Sequence, residues 1–174
     1  MLDFLLGIAY ANAGEWLIHK HLLHEDAKSK DSFWRFHWNV HHKNARRNEF
    51  FDADYTKSLF SEWDAPSKEA VALAGAAIAH APLFPLAPGF VSGVWFSIGS
   101  YYYVHKKAHL QPEWGKKYLP WHYDHHMGSN QDTNWCVTFP LFDHILGTRE
   151  EYLGTAREKE DRQRKQQRQN AVAA

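Results

Sequence analysis

The sequence of 174 residues lacks the features that mark several classes of protein. It has one cysteine, Cys136, which excludes an intrachain disulfide framework and any CxxC redox or zinc motif. Its formal net charge at pH 7 is zero, so we expect no nucleic-acid partner. It also lacks internal repeats and Gly/Ser-rich linkers, and its length suits one domain with a sizeable core.

Charged residues are absent from Ala70 to Val104, a run of 35 residues. Pro82, Pro85 and Pro88 interrupt the middle of this run. Because proline breaks helical hydrogen bonding, the run predicts a hairpin of two helices over residues 70–104. Each leg would be about 22 to 25 Å long, somewhat shorter than a hydrocarbon core of about 30 Å. The hairpin therefore either spans a thin or distorted bilayer or only dips into it.

The N-terminal residues 2–18 are mostly apolar and contain no Lys or Arg, although Asp3 and Glu15 interrupt them. A secretory signal begins with a basic stretch and ends at a small-residue cleavage site, whereas here histidines follow the segment directly. We predict an uncleaved apolar helix over residues 2–18. The predicted fold is all-α, with this helix and the hairpin embedded in a membrane and a cytoplasmic helical cap beside them.

The basic residues support that arrangement. All 20 Lys and Arg residues lie between Lys20 and Lys68 or from Lys106 onward. If the hairpin enters and leaves from one side, every basic residue faces that side, as the positive-inside rule requires of a cytoplasmic face. We predict a multi-pass membrane protein with one domain over residues 1–154. Residues 155–174 form a polar, charged tail that either frays or makes a solvated helix.

Histidines are the most informative residues. Eleven of the 13 lie in four short groups: His19, His21 and His24; His37, His41 and His42; His105 and His109; and His122, His125 and His126. Helix positions three and four apart share a face, so each group can direct two imidazoles at one point. Imidazole binds zinc, iron, copper and nickel alike. A structural zinc takes four ligands, so nine or ten grouped histidines indicate two neighbouring ions.

The first group has an irregular spacing. His19 and His24 are five residues apart, which is about 140° around an ideal helix. They share a site only if the helix ends or bends there, and His21 with His24 would be the easier pair. His80 stands alone inside the predicted hairpin, where we expect either a hydrogen-bonded helix-packing role or a place near the hairpin tip, and no contribution to metal binding.

The order of these groups, followed by NWCVTFPLFDHILGT, resembles the fatty acid hydroxylase superfamily, which includes sterol desaturases and beta-carotene hydroxylases. The likeness extends from about Glu15 to Thr148. It implies a membrane enzyme with two non-haem irons that uses dioxygen and two electrons to hydroxylate or desaturate a lipid. Zinc can replace the iron in a purified sample.

Matching positions imply the following iron ligands: His19, His24, His41, His42, His105, His109, His122, His125 and His126. The second group departs from the usual HxxHH pattern, because Trp38 stands where a histidine is expected. His37 is four residues before His41, still on one helical face, and is the substitute ligand. Asn134 and Asp143 are expected to be polar neighbours of the ligands, as is His21.

The resemblance also implies partners. An aliphatic substrate must reach the metals through an apolar channel, for which we propose Trp95, Phe96, Tyr101, Tyr102 and Tyr103. An interfacial aromatic belt explains the same residues. No GxGxxG fingerprint is present, so a separate protein should supply electrons. Lys106, Lys107, Lys116 and Lys117 either receive this carrier or serve solubility. The chain has one apolar helix fewer than the family, which a homodimer partner could replace.

The main functional hypothesis is therefore a dioxygen-dependent diiron lipid hydroxylase acting on a fatty acyl or sterol-like substrate. A desaturase or carotenoid hydroxylase on the same scaffold is the alternative within enzymes. A non-catalytic metal-binding membrane protein is the alternative from another class, and the altered second histidine group is its support.

Overall fold

The computed structural model describes residues 1–59 and 61–173, which form helices and no strand. The α-helices are α1 (Leu2–Ile18), α2 (His42–Arg47), α3 (Ala65–His80), α4 (Pro88–Leu110), α5 (Pro112–Tyr118), α6 (Pro120–Met127), α7 (Leu141–Ile145) and α8 (Ala156–Ala173). Two π-helical turns cover His19–Glu25 and His37–His41. Short 3-10 turns cover Asp26–Lys28, Ala53–Thr56 and Ala81–Leu83. The predicted all-α class is confirmed.

The hairpin predicted over residues 70–104 is formed by α3 and α4. Its first helix starts where the Asp64 side chain accepts a hydrogen bond from the backbone N–H of Ser67 at 3.2 Å, the usual way to satisfy a free helix N-terminus. The turn between the helices contains Pro82 and Pro85, and Pro88 is the first residue of α4. Proline is favoured there because that position needs no N–H donor.

Helix α1 packs closely on α4. A Cβ atom at Gly7 would overlap the carbonyl oxygen of Phe90, and one at Gly93 would overlap the carbonyl oxygen of Phe4. The two helices therefore cross backbone to backbone, which only glycine permits. This crossing directs the C-terminal end of α1, and the histidines that follow it, toward the C-terminal half of α4.

Within residues 1–59 and 61–173, no helix is long and apolar enough to cross a membrane. Helices α1 and α3 have only 17 and 16 residues. Helix α4 has 23 residues, but its last turns carry Lys106 and Lys107 and two of the histidines. The predicted membrane spans and multi-pass topology are thus not supported by these helices.

Helices α5 and α6 return the chain beside the end of α4. Each begins with a proline, so the chain bends before Pro112 and before Pro120. Gly115 lies against Phe50 and Ala108, where a larger residue would clash. A buried apolar cluster fixes this corner: Phe50, Ala108, Leu119, Tyr123 and Tyr152. The histidines of α6 consequently lie next to those of α4.

The segment predicted as a charged tail forms α8. Glu158 accepts a hydrogen bond from the Tyr123 hydroxyl at 3.2 Å, and Arg162 donates one to that hydroxyl at 2.7 Å. The start of α8 is therefore attached to α6. Ala174, the last residue of the predicted tail, lies outside the described residues.

The close crossing of α1 and α4 predicts a large cost for one added methyl group. Replacing Gly7 by Ala should lower the free energy of unfolding by about 1 to 3 kcal/mol, because the helix backbones must separate. Replacing Gly99 by Ala is the control, since a Cβ there meets no atom within 4 Å. Thermal unfolding of both variants checks this, and equal stability of the two would contradict the crossing.

Candidate metal centre

The grouped histidines form two buried clusters. In the first cluster, the nitrogens available for a metal all lie within 4.8 Å of one another, and its members are His19, His24, His37, His42 and His125. The second cluster has the same property, and its members are His41, His105, His109 and His126. His122 adjoins the second cluster, because its Nε2 lies 3.0 Å from Nε2 of His109. All ten predicted metal-binding histidines are thus brought together.

The π-helical turns explain how irregular spacings can serve one site. A π-helix closes hydrogen bonds five residues apart instead of four, so positions i and i+5 face the same way. His19 and His24 share the first cluster through one such turn, and His37 and His42 share it through the other. His21 faces solvent instead and pairs with Glu25 at 2.7 Å. His21 therefore lies outside the site, whereas we expected it to be a polar neighbour of the ligands.

Two His-His dipeptides connect the clusters. His41 belongs to the second cluster and His42 to the first, while His125 belongs to the first and His126 to the second. Adjacent side chains on a helix point in different directions, so each dipeptide can serve both clusters. The ring centroids of His42 and His126 are only 4.2 Å apart. The two clusters are therefore immediate neighbours.

The spacing of the first cluster fits a metal ion. Five pairs of Nε2 atoms in this cluster are separated by 3.0 to 3.2 Å. An octahedral ion about 2.1 Å from each nitrogen separates neighbouring donors by about 3.0 Å, and a tetrahedral ion separates them by about 3.4 Å. Five donors also exceed the four of a closed zinc site. The first cluster suits an ion with more than four ligands.

The second cluster contains nitrogens that have no partner in the protein. Among the described residues, no hydrogen bond reaches Nε2 of His41, Nε2 of His105, Nδ1 of His122 or either ring nitrogen of His126, all of which are buried. A buried polar atom without a partner costs about 1 to 3 kcal/mol. A bound metal ion would satisfy one nitrogen of each ring, so this donor set also fits a metal.

Burial keeps the imidazoles neutral. It lowers the pKa of His19 from 6.5 to about 4. It holds the pKa well below the ordinary value for seven more: His37, His42, His105, His109, His122, His125 and His126. The neighbouring histidines lower these pKa values further. A neutral imidazole has a free lone pair, which is the form that binds a metal.

A short loop, residues 131–135, orients the first cluster. The Nδ1 atom of His19 donates to the carbonyl oxygen of Trp135 at 2.5 Å, and that of His125 donates to the carbonyl oxygen of Thr133 at 2.6 Å. Two side chains of the same loop reach the other rings. Asp132 accepts from Nδ1 of His24 at 3.4 Å, and the Gln131 amide lies 2.8 Å from Nδ1 of His42. Where Nδ1 donates, as in His19, His24 and His125, the lone pair of Nε2 is left for the metal.

The second cluster has its own acceptors. Asp52 accepts from Nδ1 of His41 at 2.9 Å, and both residues are buried. Glu69 accepts from Nδ1 of His105 at 2.7 Å and also from the Tyr55 hydroxyl. The carbonyl oxygen of Phe50 accepts from Nδ1 of His109 at 2.8 Å. Burial raises the pKa of Glu69 to about 7.

Asn134 and Asp143 act through the loop rather than on the histidines. Asp143 accepts hydrogen bonds from the backbone N–H groups of Trp135 and Cys136, both at 2.8 Å. Asn134 has a positive φ of 57°, which asparagine tolerates better than most residues. Its side chain donates to the carbonyl oxygen of Glu150 at 2.8 Å. These bonds fix the carbonyl groups that orient the first cluster.

An apolar cavity of about 250 Å³ opens beside the first cluster. It lies between α1, α3 and α4, and His19 and His37 form part of its wall. None of its lining residues belongs to the second cluster. A substrate in this cavity would therefore approach the metals from the side of the first cluster.

Only Tyr101 of the five predicted channel residues lines this cavity. The face of α4 that does so carries Val94, Ser97, Ile98 and Tyr101, at the three- and four-residue spacing of one helical face. The other four residues point elsewhere: Trp95 stacks on Phe84, Phe96 contacts Phe4, Tyr103 is exposed, and Tyr102 lies off the cavity. These four residues lie off this cavity because they stand on other faces of α4, and their role in a channel stays a prediction.

Comparison with known proteins bears on this centre. A family model described as fatty acid hydroxylase matches residues 4–148. The chain belongs to the fatty acid hydroxylase family. Searches of curated proteins and of solved structures find no match. The resemblance inferred from the histidine groups is confirmed, and the family implies an oxidoreductase with a histidine-rich metal site.

The residues that orient the histidines were not predicted from the sequence. They are Asp52, Glu69, Gln131, Asp132, Thr133 and Trp135. A partial signal was available, since Asp52 follows the second histidine group and the segment QDTNW follows the fourth. The carbonyl groups of Thr133 and Trp135 could not have been found, because every residue type offers the same backbone acceptor.

The first histidine group provides a matched pair of variants. Replacing His24 by Ala removes one of five donors from the first cluster, so bound metal should fall toward one ion per chain after dialysis against a chelator. Replacing His21 by Ala removes a surface imidazole and should leave the metal content unchanged. Elemental analysis measures both. Equal metal loss from the two variants would refute the assignment of His24.

The Asp52 carboxylate should strengthen metal binding without touching the metal. Replacing Asp52 by Asn weakens the bond that orients His41, and we expect metal affinity at the second cluster to fall about 10- to 100-fold. Asp54→Asn is the control, because Asp54 pairs with Lys57 at 3.0 Å away from the histidines. Chelator competition measures both affinities, and an unchanged affinity in Asp52→Asn would argue against this role.

Proposed function

We propose that this protein is a dioxygen-dependent diiron lipid hydroxylase. The observation that carries the proposal is the joint presence of two adjacent, buried histidine clusters and an apolar cavity that ends at one of them. Neutral imidazole suits iron, and the proposed cofactor is two iron ions, one in each cluster. When bound, the iron pair would supply activation of dioxygen for attack on an unactivated C–H bond.

The protein's own residues would position the substrate. The cavity lining is overwhelmingly apolar, so it suits a hydrocarbon chain and excludes water. His19 and His37 belong both to the cavity wall and to the first cluster. A substrate carbon held against these two rings would be the one oxidised. The loop at residues 131–135 would keep His19 in place while the substrate enters.

We also propose that the apolar exterior around α1 and the hairpin contacts lipid. Large apolar side chains are exposed there, including Leu5, Leu6, Ile78 and Leu86, and the last is 84% exposed. Such a patch favours a membrane surface over water. The proposed location is membrane-associated with the histidines on the cytoplasmic side, which would place the cavity next to the lipid that supplies its substrate.

A separate electron-donor protein completes the proposal. The two electrons per turnover need a source, and an acidic carrier could approach Lys106, Lys107, Lys116 and Lys117. Lys107 lies 4.5 Å from the Trp114 ring and Lys116 pairs with Glu113 at 2.5 Å, so part of this surface is already ordered. Ordered side chains lose less entropy when a partner binds.

The experiment is to load the purified protein with ferrous iron and supply reductant and lipid. We expect about two irons per chain by elemental analysis and oxygen consumption on reduction. His126→Ala should abolish consumption and lower the iron content. His144→Ala is the control, because His144 is exposed and lies outside both clusters.

Product analysis separates the alternatives. Gain of one oxygen atom by the lipid supports hydroxylation, and loss of two hydrogen atoms indicates a desaturase on the same scaffold. Stable zinc with no response to reductant would contradict the enzyme and favour a non-catalytic metal-binding protein. Full iron occupancy in His126→Ala would refute the assignment of that residue.

A further inference from the structure

The cavity beside the first cluster is long. Glu69 and His80 both line it and are 11 positions apart on α3. At about 1.5 Å per residue, the cavity therefore extends about 16 Å along that helix. Glu69 marks the metal end, because it accepts from Nδ1 of His105 at 2.7 Å. His80 marks the opposite end.

The end of the cavity at Tyr10 and His80, which we call the mouth, reaches the surface and is polar. The Tyr10 side chain there is 51% exposed, and its hydroxyl lies 3.3 Å from Nε2 of His80. Nδ1 of His80 donates to the carbonyl oxygen of Ala76 at 2.8 Å, so Nε2 is the acceptor. The Tyr10 hydroxyl thus donates to Nε2 of His80 across 3.3 Å, a long bond that a hydroxyl group inserted between the two side chains would replace by accepting from Tyr10 and donating to Nε2.

The carboxyl groups of the metal end are already occupied. Glu15 accepts from the backbone N–H of Thr138 at 2.8 Å and from its hydroxyl at 2.7 Å. Glu69 accepts from His105 and Tyr55. A polar head group that moved along the apolar walls to this end would lose its hydrogen bonds to water and find few new ones. Burial of a polar group without hydrogen-bond partners is unfavourable. A lipid should therefore enter with its apolar end first.

We propose that the cavity selects its substrate by length. It holds the hydroxyl head of an elongated lipid at Tyr10 and His80 while the carbon at His19 and His37 is oxidised. The inference rests on the proposed function for the oxidation step. An extended chain advances about 1.2 Å per bond, as an extended peptide backbone does. The oxidised carbon then lies about 13 bonds from the head group.

One glycine allows this length to be changed. Gly14 lies on the cavity face of α1, four positions from Tyr10 and therefore about 6 Å from the mouth. A Cβ atom at Gly14 meets no atom within 4 Å, so a larger side chain fits by filling the cavity. Gly14→Leu should block the cavity about five bonds from the mouth. Gly99→Leu is the matched control, because Gly99 is exposed, has equal space and does not line the cavity.

The test is the binding of straight-chain primary alcohols of increasing length, measured by displacement of a fluorescent long-chain alcohol. For the wild-type protein and Gly99→Leu, affinity should rise roughly fourfold per methylene. The rise should stop near 13 carbons. For Gly14→Leu it should stop near five. An unchanged length profile in Gly14→Leu, or no break in any profile, would overturn the proposal.

The head-group contact has its own readout. His80→Phe should lose the preference for an alcohol over its methyl ether of equal length, because only the alcohol can donate to Nε2. Tyr10→Phe should weaken binding of both, and the length profile should remain in each variant. A preference for the alcohol that survives in His80→Phe would refute the assignment of the mouth. Binding needs neither metal nor turnover, so a correct length profile without any oxidation would refute the proposed function alone. Oxidation of a substrate without a length profile would refute only the selection of substrates by length.

Discussion

The structure depends on the need to keep buried imidazoles neutral and to orient them through hydrogen bonds at Nδ1. An imidazole ring buried without partners is unfavourable at each nitrogen, and a protonated one is more so. In six of the ten rings, Nδ1 donates to a protein acceptor, which turns Nε2 toward the centre of the cluster. The acceptors come from residues 50–52, Glu69 and the loop at residues 131–135. These segments are far apart in sequence, so the histidines require the whole fold.

The arrangement gives the two clusters different surroundings. The first cluster borders the apolar cavity through His19 and His37, while the second lies behind it against Phe50 and Tyr55. The His-His dipeptides hold both clusters on the same pieces of helix, so neither can move alone. This asymmetry gives the centre one side for a hydrocarbon and another for the residues that orient the ligands.

Much of this could be predicted from the sequence, because the signal was local. The helical hairpin followed from a run without charge, and the grouping of ten histidines followed from their spacing. The pairing of His19 with His24 could not be derived, since a five-residue spacing points apart in an α-helix and together in a π-helix. The positions of Trp95 and Phe96, which lie off the cavity, could not be derived for a similar reason. Both side chains are near the site in sequence, but the crossing of α1 and α4 determines which face of α4 turns inward.

The most direct test of the central claim is an anomalous difference map from crystals of the metal-loaded protein, collected at the absorption edge of the bound metal. The account predicts two peaks per chain, one among the first-cluster nitrogens and one among the second, with His42 and His126 between them. A single peak shared by all ten histidines, or peaks bound to carboxylates away from them, would contradict it.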